Sequence, residues 1–198
     1  MPRLRVHQQE ALAALDAAWA AGRTRAWVAL PPGAGKTLVG LMTVRDRIAA
    51  GAVGKAVVLG PNTAIQGQWA AHAATLGLDV GTDRSMAHQL TTLTYQALAV
   101  FDPDDEVDDD GVPSGSPGLE TGAERPPQPP VGPPALLDRL HENGRVFIEE
   151  LKNAGPLLLV LDECHHLLEV WGRLIGELLD QLPNALVLGL TATPPEAL

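Results

Sequence analysis

Cys164 is the only cysteine in 198 residues. No internal disulfide can form, and a reduced, cytoplasmic setting fits. No run approaches the roughly 18 apolar residues of a membrane span, and no secretory signal opens the chain. A membrane partner is therefore not expected. Bases are outnumbered, with 14 Lys and Arg against 24 Asp and Glu, giving a net charge of −10. No internal repeat is apparent. What the chain does have is apolar bulk, 45% of its residues. That is enough for a packed core, and the length fits one domain over residues 1–198.

The charge is unevenly placed. Residues 101–135 hold nine acids against Arg125 alone, which is −8 of the total. The rest is close to neutral, so local patches rather than net charge would decide any binding of polyanions. The same segment is rich in Asp, Pro, Gly and Ser. It cannot bury enough surface to offset the entropy of ordering, so a disordered insertion is expected. Glu106-x-Asp108-x-Asp110-Gly111 resembles the start of a calcium loop, but position twelve is Pro117 and the signature fails. A solvated, self-repelling tether is the plainer reading.

Around that insertion, periodicity alternates. Helices are expected over 6–21, 36–50, 63–75, 95–100, 135–142, 145–154 and 166–182. Strands are expected over 25–30, 55–59, 89–94, 157–161 and 185–190. Several of these strands are unbroken apolar runs, as a sheet covered on both faces requires. Alternating strands and helices predict an α/β domain with a mostly parallel central sheet and helices on both faces.

Two motifs stand directly after apolar strands. Pro31-Pro32-Gly33-Ala34-Gly35-Lys36-Thr37 reads as a phosphate-binding loop. Its glycines let backbone N–H groups turn inward, and the helix behind it adds its positive end. Lys36 would reach the β- and γ-phosphates of a nucleoside triphosphate, and the Thr37 hydroxyl would ligate Mg²⁺. Leu30 stands where the general pattern has its first glycine. The second motif, Asp162-Glu163-Cys164-His165, follows the 157–161 strand. There Asp162 would hold magnesium, and Glu163 would orient and deprotonate an attacking water. Zinc is disfavoured, because adjacent ligands rarely close one tetrahedron. Nothing marks Cys164 as a nucleophile. His165 suits a polar link beside the γ-phosphate.

At these residues the chain resembles the DEAD/DEAH-box superfamily-two helicases, in their first RecA-like domain. The resemblance is strongest to the restriction-enzyme and repair-translocase (ResIII-like) branch. Residues 31–37 resemble motif I, 162–165 motif II, and Leu190-Thr191-Ala192-Thr193-Pro194 motif III. Leu4-Arg5-Val6-His7-Gln8 resembles the adenine-reading segment, with Gln8 as the base contact, Gln9 the fallback and Arg5 beside it. Val57 to Thr63, leading to Gln68-Trp69, resembles motif Ia. Thr94-Tyr95-Gln96 resembles a further segment of that branch.

The resemblance implies a RecA-like P-loop domain that binds ATP and Mg²⁺. Its nucleotide-binding residues would be Arg5, Gln8, Pro32, Gly33, Ala34, Gly35, Lys36 and Thr37. It also implies contact with a nucleic-acid backbone, DNA rather than RNA, through Pro61, Asn62, Thr63, Thr94 and Tyr95. Small hydroxyls and helix-start N–H groups suit contacts that ignore base sequence. Thr191 and Thr193 would couple the two sites. Trp27 and Trp69 read as core rather than as base-stacking platforms. A second RecA-like lobe is implied as partner. Its arginine contacts can be worth roughly 10³–10⁵ in rate, so very slow turnover and no unwinding are expected of these residues alone. A motor of a restriction or phage-defence system is one alternative. A nucleotide- or nucleic-acid-binding module without efficient turnover is another.

Overall fold

The computed structural model describes residues 3–98, 136–164 and 169–192. Expectations for residues 101–135, His165 and Thr193 lie outside the described residues. The chain order is α1 (Val6–Ala20), β1 (Arg25–Ala29), α2 (Lys36–Ala49), β2 (Lys55–Gly60), α3 (Thr63–Thr75), β3 (Val80–Gly81), β4 (Leu90–Thr94) and α4 (Tyr95–Leu98). A 3-10 turn (Leu136–Arg139), α5 (Glu142–Asn153), β5 (Leu157–Asp162), α6 (Glu169–Asp180) and β6 (Leu186–Thr191) follow.

The strands form one six-stranded sheet in the order β1-β6-β5-β2-β4-β3, and every pairing is parallel. The unbroken apolar run of β5 takes an interior position, and all six of its residues are buried. Its side chains alternate between two cores, as period-two geometry demands. Leu158 and Val160 join Leu15, Trp19, Val39, Leu41, Val44 and Trp69, which come from α1, α2 and α3. Leu159 and Leu161 join Leu98, Phe147, Leu151, Leu174 and Leu178, which come from α4, α5 and α6. Both faces are thus covered, and this is the α/β architecture that the sequence pattern predicts.

Several details differ from expectation. Residues 136–139 form a 3-10 turn rather than a helix through 142, and α5 starts at Glu142 rather than 145. His141 sets that start, its ring nitrogen accepting from the Asn143 N–H at 3.2 Å. The two residues of β3 are too short to show a period. Trp27 is not core but 41% exposed. It sits on β1, an edge strand, and its indole lies against Gly189 on the neighbouring β6.

Parallel strands all end at the same edge. That topology gathers the segments after β1, β2, β4, β5 and β6, far apart in sequence, along one rim. In open α/β sheets ligands bind at this rim.

Candidate functional site

The loop after β1 depends on two glycines. Gly33 and Gly35 have φ of 75° and 84°, the left-handed region that a side chain resists. At Gly35 there is a second reason, because a Cβ would collide with the Gln8 amide. The loop closes with Ala34 N–H donating to the Pro31 carbonyl at 3.1 Å. Helix α2 then begins at Lys36. Its first-turn N–H groups lack intrahelical partners and make that end attractive to anions. Thr37 is half-buried in this first turn.

The amino-terminal segment braces the loop from below. Gln8 is buried, and both ends of its amide are engaged. The nitrogen donates to the Ala34 carbonyl at 2.9 Å, and the oxygen accepts from the Arg5 N–H at 2.9 Å. His7 Nε2 donates to the same Ala34 carbonyl at 2.9 Å, and the Arg5 guanidinium reaches the Gly33 carbonyl at 3.4 Å. These residues therefore stabilise the shape of the loop. Sequence alone did not reveal this brace, since its partners lie 26 to 28 residues away.

The acidic pair faces the loop. Lys36 is 8% exposed, and its Nζ lies 3.2 Å from Glu163 Oε1 and 3.4 Å from the Leu30 carbonyl. Glu163 has φ of 51°, the one positive value outside glycine among the described residues. For an L-residue that conformation costs roughly 1–2 kcal/mol, and such strain clusters at functional sites. The turn is held by the Glu163 N–H, which donates to Asp162 Oδ1 at 3.0 Å.

Asp162 is 4% exposed and tightly held. Its Oδ2 accepts from Trp69 Nε1 at 2.7 Å, and its backbone carbonyl accepts from the Tyr95 hydroxyl at 2.9 Å. Burial raises its pKa above the ordinary carboxylate value. The Trp69 hydrogen bond opposes this, and the Glu163 charge adds to it. Burial likewise raises the Tyr95 and Cys164 pKa values. The Cys164 thiol points at the Leu190 carbonyl, 3.6 Å away. It is a half-buried thiol with the character of an unreactive one.

The remaining residues divide by exposure. Asn62 and Thr63 are exposed and Pro61 is half-buried at the start of α3. Asn62 also caps that helix, its Oδ1 accepting from the Ile65 N–H at 3.0 Å. Thr94 and Tyr95 are buried. The Thr94 hydroxyl accepts from the Ala97 N–H at 3.0 Å, and the Tyr95 ring lies beneath Asp162. Thr191 is buried where β6 meets the loop, its carbonyl accepting from the Leu30 N–H at 3.0 Å.

Solved structures share this fold at low identity. The SWI2/SNF2 ATPase core of Sulfolobus solfataricus, solved in complex with dsDNA, superposes with a TM-score of 0.60 at 16% identity, covering 99% of this chain and 33% of that one. Two structures of UvsW from bacteriophage T4 give a TM-score of 0.54. Their identities are 14% and 15%, over 97% and 98% of this chain and 30% and 54% of theirs. The chain thus spans about a third of the length of the first two and about half of the third. No curated protein matches it by sequence.

The described residues have the RecA-like fold of a superfamily-two helicase domain. More narrowly, the chain belongs to the family described as type III restriction enzyme, res subunit, whose model matches residues 1–112 and 121–196. This is a family of helicase-like ATPase domains.

Proposed function

We propose that the chain is the ATP-binding lobe of an ATP-dependent nucleic-acid helicase or translocase that acts on DNA with a second RecA-like lobe. The observation that carries this reading is the Lys36–Glu163 pair at 3.2 Å, set between a left-handed glycine loop and a fixed Asp162. In this arrangement the Lys36 ammonium occupies the Glu163 carboxylate. When the ATP phosphates enter the loop, they compete for the Lys36 ammonium. Glu163 is then released to take a proton from water as the water oxygen bonds to the γ-phosphorus and the bond to ADP breaks.

The Thr37 hydroxyl and the Asp162 carboxylate are hard oxygen donors suited to Mg²⁺. Each Asp162 oxygen receives one N–H and keeps lone-pair capacity for a cation. Mg²⁺ held there would offset charge developing on the phosphate oxygens. The Ala34 carbonyl engages the Gln8 amide nitrogen, so base contact through Gln8 requires that bond to exchange. Arg5, Pro32, Gly33, Ala34 and Gly35 would complete the nucleotide site.

On the nucleic-acid side, the exposed Asn62 and Thr63, next to Pro61, offer backbone contacts at a helix start. Thr94 and Tyr95 would contribute by shaping the rim, since their side chains are engaged inside. Thr191 is next to the loop through its bond to Leu30, which suits a coupling role. His165 and Thr193 keep the roles implied by the motifs they stand in. The family description favours, as a narrower version, the motor of a restriction system whose nuclease lies elsewhere.

The test measures ATP binding and phosphate release with and without single- and double-stranded DNA and RNA. Lys36→Ala is expected to abolish binding, and Glu163→Gln to tighten binding while lowering turnover by about 10²–10⁴-fold. Turnover by the 198 residues alone is expected to be slow, without unwinding. Undiminished hydrolysis by Lys36→Ala, or robust strand separation by this chain, would refute the reading.

A further inference from the structure

Trp69 lies completely buried in α3, yet it is more than filler for the core. Its indole N–H donates to Asp162 Oδ2 at 2.7 Å across 93 residues of sequence, and the contact is buried. The far edge of the same ring presses on Gly40 in α2, where an added Cβ would collide with it. Gly40 stands one helical turn after Thr37. One rigid side chain therefore touches the helix that carries Thr37 and the carboxylate of Asp162.

The polar end of this contact is what a phenylalanine could not supply. The Trp69 N–H and the Glu163 N–H take one oxygen of Asp162 each, and Tyr95 holds its backbone carbonyl. These three bonds leave the carboxylate a fixed orientation. Partners of this kind, which orient a ligating group without touching the metal, typically alter metal affinity 10–100-fold by roughly those amounts when removed.

We infer that Trp69 is a positioning residue that aims Asp162 and fixes its separation from Thr37, and so sets the Mg²⁺ affinity of the nucleotide site. The inference rests on the reading of Asp162 as a metal-holding carboxylate and goes beyond it by naming what holds that carboxylate.

The experiment titrates MgCl₂ into the full chain carrying a fluorescent methylanthraniloyl-ADP, after measuring binding of the same nucleotide in EDTA. Trp69→Phe keeps the ring and removes the N–H. It is expected to raise half-saturating Mg²⁺ by about tenfold or more while leaving metal-free binding within about twofold. Gly40→Ala removes no polar group and displaces the ring instead, so it is expected to move half-saturating Mg²⁺ in the same direction. It also serves where Trp69→Phe fails to fold. A purely structural tryptophan would lower the melting temperature in both variants without moving the Mg²⁺ dependence, and that result would overturn the inference. Asp162→Asn separates the two levels. If it abolishes the Mg²⁺ effect while the other variants leave it intact, Trp69 alone has been misread. An Mg²⁺ effect that survives Asp162→Asn overturns the metal-holding reading and this inference with it.

Discussion

Glu163→Gln is expected to change ATP binding and ATP turnover in opposite directions. Lys36 Nζ and Glu163 Oε1 are 3.2 Å apart, with side-chain exposures of 9% and 27%. With an effective dielectric of about 20, the gross attraction at that distance is about 5 kcal/mol. Desolvation of both groups offsets most of it. Contacting pairs of this kind couple by about 0.5–3 kcal/mol, and about 1–2 kcal/mol suits a pair that is largely but not wholly buried. ATP must displace this attraction to capture Lys36, and it must approach the Glu163 charge. An amide of the same shape removes both penalties. Affinity for ATP should therefore rise by about 5–30-fold, the equivalent of those 1–2 kcal/mol. Turnover should fall by about 10²–10⁴-fold with the loss of the base. Equilibrium titration with ATP and a single-turnover phosphate-release assay read the two effects separately. Weaker or unchanged ATP binding in the amide variant would refute the idea that the pair competes with nucleotide.

Gly35→Ala places a side chain at φ of 84° and drives it into the Gln8 amide; the backbone strain and about two lost hydrogen bonds should lower unfolding free energy by about 3 kcal/mol, measured by urea denaturation, with nucleotide binding lost as well. Asn62→Ala removes the α3 cap and is expected to cost about 1 kcal/mol in stability; a filter-binding assay should show weaker DNA binding with ATP affinity in the absence of DNA unchanged. Asp162→Asn puts an NH2 donor against the Trp69 or the Glu163 N–H and should lower the melting temperature, by an amount that depends on pH. The folded carboxyl pKa is raised, so the folded state binds the proton more tightly, and wild-type stability falls as pH rises from the unfolded pKa through the raised one. The stability of the wild type relative to the amide should therefore grow as pH falls toward the ordinary carboxylate range, and a relative stability that shrinks on acidification would contradict the assigned direction.

The parts of the site that were legible in the sequence are those written locally. The strand–loop–helix signal of residues 25–50 and the apolar run ending at Asp162 place their residues at strand ends by period and punctuation alone. Parallel pairing then brings them to one rim. What escaped was written across distance. The Gln8 brace and the Trp69–Asp162 bond each tie a residue of an ordinary helix face to a distant loop or strand end, so no window of sequence contains both partners. Tyr95 shows the same limit. The family resemblance implied a nucleic-acid contact for it, and nothing in the local pattern revealed that its hydroxyl donates inward to an acceptor 67 residues away. Trp27 failed for the opposite reason, because being on an edge strand is a property of the sheet order rather than of its neighbours in sequence.

The unfavourable local features of this chain share an address. Glu163 adopts a backbone conformation that resists a side chain, Asp162 is a carboxylate buried against its own ionisation, and Lys36 is an ammonium with little access to water. Each alone would be a defect in a domain optimised for stability. All three fall where β5 ends and α2 begins, beside a rim built on a fully covered sheet. Local rules are broken together at sites of chemistry and kept elsewhere. The strain at Glu163 holds its carboxylate toward Lys36 rather than along the strand, and the burial of Asp162 requires the Trp69 and Glu163 N–H donors that fix its direction. Replacing Glu163 with glycine would relieve roughly 1–2 kcal/mol of backbone strain, but it would also take the carboxylate from the largely buried Lys36 ammonium, so the fold should gain no stability while losing both the base and the geometry that aims it.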